Sequence, residues 1–155
     1  MVRFLFAACL LGMSCGCAIL GESLGRSDAV PYLAVHEPVP ERQNRIYRTA
    51  QIPGRVVISD GCVLFERTDG KIVLPVFEAG TQVGADHEGA YVYDPVSRVY
   101  LRDGTRVVAG GGGSDETVGA YVRRAGLQRS VPLRCVTALD VDSALALNPG
   151  IEPVR

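Results

Sequence analysis

From residue 54 onward the chain is punctuated at short, regular intervals. RVVIS at 55–59 meets Asp60-Gly61, CVLFER at 62–67 meets Thr68-Asp69-Gly70, and KIVLPVF follows at 71–77. Asp-Gly between hydrophobic runs is a strong hairpin signal, because glycine takes positive φ without steric cost. A three-stranded meander is therefore expected over 55–77, with Pro75 breaking the third strand or placing it at an edge. EAGTQV makes the next corner. AYVYD and RVYLR flank PVS as a further hairpin, and Asp103-Gly104 turns into TRVVA.

Runs this short are strands, and strands at this spacing read as a small barrel or sandwich. One helix is expected after the glycines at 110–113. Ser114 is placed to cap it, and Asp115 and Glu116 suit its first turn. Val118, Tyr121, Val122 and Ala125 fall on one face at helical spacing, and Gly126 is placed to stop it. A strand over VGAYVRR is the competing reading. RCVTALDVDSALALNPG should supply one or two closing strands. Element count and order over residues 54–148 resemble the OB-like fold. The expected class is mainly β, a small OB-like barrel of about six to seven strands with one short helix.

The resemblance implies a surface for oligonucleotides or sugars. Nucleic acid needs a Lys/Arg footprint to displace counterions. This chain of 155 residues has a formal net charge of −1 and no basic block, so no nucleic-acid partner is expected.

The N-terminus reads MVRFLFAACLLGMSCGCAIL. Arg3 gives a small positive start, and Phe4 to Met13 is an uncharged apolar stretch of signal-peptide length. Small residues and two cysteines follow. This resembles a bacterial lipoprotein signal, in which cleavage falls just before the cysteine that carries the lipid. Neither cysteine has an aliphatic residue at the usual upstream position: Ser14 stands there for Cys17, and Gly12 for Cys15. Cys17 is preferred, because Cys15 would leave a very short signal. A plain cleaved signal ending near Gly16 or Gly21, or an uncleaved anchor over Phe4 to Leu20, are the alternatives. All three export the body. The resemblance implies a membrane-anchored envelope protein facing the periplasm or the exterior.

The expected division is a signal peptide at 1–16, the lipid-bearing Cys17 and a tether over 17–53, a β-barrel domain at 54–150 and a tail at 151–155. Pro31, Pro38 and Pro40 forbid a continuous helix or central strand in the tether and would stiffen it. His36 there reads as a solvated side chain in a flexible arm.

Residues 107–119, VVAGGGGSDETVG, have the strand, glycine loop, helix order of phosphate sites. A P-loop must end in Gly-Lys-Ser or Gly-Lys-Thr. Here the run ends in Ser114-Asp115-Glu116, and Lys71 is the only lysine in the chain. Carboxylates at a helix start repel phosphate. The glycines read as a flexible or bulged loop instead, and no cofactor is expected.

Beyond the signal, Cys62 and Cys135 remain. In an oxidising compartment two cysteines in one small domain pair, and without Cys-x-x-Cys spacing the bond is structural. Such a bond would set the second strand beside the start of the closing strand. Asp86, His87 and Glu88 are weak metal candidates, since only a turn could converge all three. Asp140 and Asp142 could make a carboxylate pair. No nucleophile motif is present, and no catalytic residue is assigned. The function expected is a non-enzymatic, lipid-anchored envelope protein that binds an envelope protein or a glycan. The alternative is a small secreted carboxylate-dependent hydrolase or a hydrolase inhibitor.

Overall fold

A computed structural model describes residues 30–40, 47, 49–112, 116–137, 141 and 143–154. The lipidation candidates Cys15 and Cys17, and the pair Asp140 and Asp142, lie outside the described residues. The protein is mainly β. Its strands are β1 (Ala34–Val35), β2 (Ala50–Ser59), β3 (Cys62–Arg67), β4 (Ile72–Phe77), β5 (Gln82–Asp86), β6 (Gly89–Asp94), β7 (Val99–Arg102), β8 (Arg106–Gly112), β9 (Ala144–Leu147) and β10 (Glu152–Pro153). Two helices, α1 (Val118–Arg124) and α2 (Arg134–Thr137), lie between β8 and β9.

The Asp-Gly turns fall where the sequence places them. Asp60 and Gly61 both take positive φ, 52° and 69°, and β2 pairs antiparallel with β3 across them. β3 then pairs antiparallel with β4. β4 pairs in parallel with β9, β9 antiparallel with β8, and β8 antiparallel with β2. The path β2-β3-β4-β9-β8 therefore returns to β2, and the sheet closes on itself. This is a five-stranded Greek-key ring of the OB-like kind. β5, β6 and β7 form a separate antiparallel sheet inserted between β4 and β8.

Closure depends on the glycines at 110–112. They belong to strand β8 and none has positive φ, so the expected loop is replaced by a strand. The reason lies in packing. A Cβ on Gly111 would collide with the carbonyl oxygen of Ala146 in β9 and press on Ile52 Cδ1 at 3.3 Å. Two backbones approach closely here to seal the ring, and only a residue without a side chain permits it. Asn148 follows β9 and donates from its backbone N–H to the Gly110 carbonyl at 2.8 Å.

Pro75 sits buried in the middle of β4, opposite Leu145 of β9, and neither ends the strand nor lies on an edge. The backbone N–H of Leu74 donates toward β9, to Ser143 O at 3.0 Å. The missing N–H of Pro75 must then point to the other side. On that side β4 changes partner. Ile72 and Val73 pair with β3, whereas Val76 and Phe77 pair with β1. Pro75 occupies the gap between the two partners, where no ladder bond is lost.

β1 corrects the tether. Tyr32 bridges Cys62 in parallel, and Ala34 and Val35 pair in parallel with Val76 and Phe77. Tyr32 to Val35 are all buried, so residues 31–36 are part of the body rather than a flexible arm. The prolines mark the ends of a short edge strand, which they permit. Residues 50–53 likewise belong to β2. The tail at 151–155 is corrected in the same way, since Ile151 is buried and β10 pairs with β8.

Two apolar clusters divide the side chains by parity. Val63 and Phe65, Val73 and Phe77, and Leu145 and Leu147 point into one cluster. Leu64, Leu74, Val76 and Ala144 point into the other, where Val118, Tyr121 and Cys135 of the helices cover them. α1 is capped by Thr117, whose hydroxyl accepts from the Ala120 N–H at 3.3 Å; the expected cap Ser114 lies outside the described residues. Glu116 precedes the cap and binds Arg124 Nη2 at 2.6 Å.

Cys62 and Cys135 are bonded, with Cα atoms 5.6 Å apart. Cys135 sits on α2, however, and not at the start of a closing strand. The bond pins the helical layer to β3, while β9 closes the ring through its own pairing with β4 and β8.

Candidate binding face

β6 and β7 of the inserted sheet alternate between a buried and an outer face. Val92 and Leu101 are fully buried and join the first core cluster, with Val83 and Val99 packed beside them. Their neighbours must point the opposite way. Register sets Gly84 opposite Tyr91, Tyr91 opposite Arg102, and Tyr93 opposite Tyr100. Three tyrosines and an arginine thus share the outer face.

The rings form a row. Tyr91 and Tyr100 meet edge to face with centroids 5.0 Å apart, and Tyr93 and Tyr100 are tilted with centroids 4.9 Å apart. Such geometries suit the ring quadrupole. Tyr100 remains 58% exposed. Tyr91 lies across β5 because Gly84 leaves room for it. A Cβ at position 84 would stand 2.6 Å from both Cζ and the hydroxyl oxygen of Tyr91.

At one end of the row three charged groups interlock. Arg102 Nη1 donates to Asp86 Oδ1 at 3.0 Å and Nη2 donates to Asp86 Oδ2 at 2.8 Å, a bidentate pair. Nη2 also pairs with Glu88 Oε2 at 2.8 Å, and Nη1 donates to the Gly89 carbonyl at 3.2 Å. The guanidinium lies 5.7 Å from the Tyr91 ring centroid. The hydrogen bonds from Arg102 hold the Asp86 carboxyl down at about 2. The same bonds push Arg102 up from its ordinary value.

The metal candidates therefore behave differently from one another. Asp86 ends β5, and Glu88 follows in the turn, where its N–H donates to Asp86 Oδ1 at 2.9 Å. Both carboxylates converge on Arg102, which fills the position a cation would need. The His87 side chain is 88% exposed, and its Nε2 stands 4.0 Å from Glu88. Among the described residues no group of three or more His, Cys, Asp or Glu is placed to hold a metal ion. His36, expected in solvent, instead shares a 3.1 Å hydrogen bond with the Tyr121 hydroxyl.

Beside the charged cluster lies a cleft of about 1040 Å³ between the β2–β3 turn and the β5–β6 turn. Asp60, Asp86, Glu88 and Asp103 line it, against Arg102 and Arg134. Asp103 Oδ1 accepts from the Ile58 N–H at 2.8 Å, which ties the turn after β7 to β2. A buried carboxylate, Asp94, fixes the far end of the inserted sheet. Its Oδ2 accepts from the backbone N–H groups of Gly150 and Ile151, both at 2.7 Å, and its Oδ1 from Val96 at 2.9 Å.

The tyrosines were legible only as a pattern. AYVYD and RVYLR alternate aromatic with aliphatic residues, so one face of that hairpin had to be aromatic. Antiparallel register adds what neither stretch shows alone, the contact between the two rows. No family model matches the chain, and neither do any curated protein or solved structure. No helix among the described residues is long and apolar enough to cross a membrane.

Proposed function

We propose that this chain is an exported, lipid-anchored envelope protein whose body is a non-enzymatic binding module. One observation carries the reading. The outer face of β5–β6–β7 sets a row of tyrosines, Tyr100 exposed and Tyr91 and Tyr93 half-buried, beside an ordered ionic cluster, on a sheet whose other face packs Val92 and Leu101 into the core. Exposed aromatic rings with a few fixed polar groups are what recognition surfaces use. The bonded cysteine pair suits an oxidising compartment, and the lipoprotein-like start supplies export and an anchor at Cys17 or Cys15.

The hydrolase alternative draws less support. A carboxyl serving as general acid must have its pKa raised toward neutrality. Asp86 is pushed the other way by Arg102.

Fractionation and intact-mass measurement test export and anchoring together. The mature protein should sediment with membranes and carry an acylated N-terminal cysteine, and Cys17→Ala should release it. A processed chain beginning at unmodified Ala18 would remove the lipid anchor.

A further inference from the structure

We infer that the outer face of β5–β6–β7 is a binding site for a neutral, hydroxyl-rich glycan chain. The inference rests on the binding-module reading and names its ligand class. Sugar rings carry apolar C–H faces and polar hydroxyl rims, so a site for them needs aromatic ring faces beside fixed acceptors and donors. Tyr91, Tyr93 and Tyr100 supply ring faces set at an angle to one another, 79° between Tyr91 and Tyr100 and 39° between Tyr93 and Tyr100, with centroids 5.0 and 4.9 Å apart. Tyr91 is already held across Gly84, so little side-chain freedom is lost when a ligand settles on the row.

Asp86 and Glu88 supply acceptors. Arg102 uses one lone pair on each Asp86 oxygen and one on Glu88 Oε2, the Glu88 N–H takes a second on Asp86 Oδ1, and a carboxylate has about four such sites. The remaining ones are available to hydroxyls, and the carboxylates are held still while they wait. Charge then narrows the ligand. Two carboxylates share one guanidinium at the end of the row, and the adjoining cleft adds Asp60 and Asp103 against Arg134. That excess of negative charge repels phosphodiesters and anionic headgroups. It leaves neutral hydroxyls well served. The cores of protein–protein interfaces are depleted in Asp and Glu, whereas here Asp86 and Glu88 stand at the end of the tyrosine row.

The site differs from the barrel surface through which OB-like domains bind oligosaccharides. It sits on the sheet inserted between β4 and β8.

The test is affinity electrophoresis of the full-length, detergent-extracted protein. The gels would contain a soluble β-glucan, a mannan, a galactomannan or a glycol-chitin, with a phosphomannan as the charged control. The inference expects retardation by at least one neutral polymer and none by the phosphomannan. Tyr100→Ala and Asp86→Asn should each weaken it at least about tenfold, while Tyr100→Phe, which keeps the ring, should retain it. Thermal melts confirm that each variant is folded. No retardation by any neutral polymer would overturn the inference, as would binding indifferent to Tyr100→Ala. A photocrosslinker at position 100 that captures only protein in envelope membranes would also overturn it, in favour of a protein partner. Loss of export with sugar binding intact would instead sink the envelope reading and spare this site.

Discussion

β3 and β4 are buried on both faces, whereas β6 and β7 bury only one. Val63 and Leu64 of β3 face opposite clusters and both are fully covered. Val92 of β6 is equally covered, yet its neighbours Tyr91 and Tyr93 are only half-buried on the outer face. The two regions differ in what lies beyond them. α1 and α2 cover the outer side of the ring, while nothing among the described residues covers the outer side of the inserted sheet. A strand covered on both sides must be apolar throughout, as CVLF and IVLPVF are. A strand covered on one side is free to carry chemistry at every second position. Stability in this molecule is therefore concentrated in the ring and its helical layer, and the insert carries the proposed binding face.

The comparison breaks if the ring tolerates damage that it should not. The largest effect is expected at the cysteine pair. The bond spans 73 residues, and closing a loop of that size stabilises by about 4 kcal/mol in the chain-entropy model. Cys62→Ser with Cys135→Ser should lose roughly that in urea unfolding under non-reducing conditions, and the inserted sheet should keep its near-ultraviolet tyrosine signal. Next comes the seal. Gly111→Val drives a side chain into the β9 backbone, and overpacking of this kind should cost about 3 kcal/mol. Loss of amide protection should follow first at β9. A Gly111→Val protein as stable as the parent would mean that β8 and β9 are not sealed.

The sequence was informative wherever a local rule decides the outcome. Asp60-Gly61 and Asp103-Gly104 named their turns, because positive φ selects those residues. Val118 and Tyr121 announced the buried face of α1 through spacing alone. It was silent where neighbours far apart in the chain decide. Pro75 looked like a strand breaker until β1 and β3 were seen to share one side of β4. Residues 31–36 looked like tether because prolines dominate locally, and nothing local says that Val76 and Phe77 need a parallel partner. The glycines at 110–112 looked like a loop for a similar reason: the need for a small residue comes from Ala146, on another strand. At the candidate site, the sequence marks Asp86, His87 and Glu88 as metal candidates. The real partner of the two carboxylates, Arg102, lies across the sheet and becomes visible only with register.

The division between a stabilising ring and a free face is tested most directly by urea unfolding of Tyr100→Ala beside Gly111→Val. Tyr100 is a large aromatic residue with two ring contacts, yet it stands 58% exposed on an uncovered face. Cross-strand contacts of that kind are worth about 0.2–1 kcal/mol each, so the two together are worth at most about 2 kcal/mol. The account predicts a loss within that limit for Tyr100→Ala, below the loss for Gly111→Val. A Tyr100→Ala protein destabilised as severely as Gly111→Val would make the tyrosine row part of the core and contradict its assignment as a binding face.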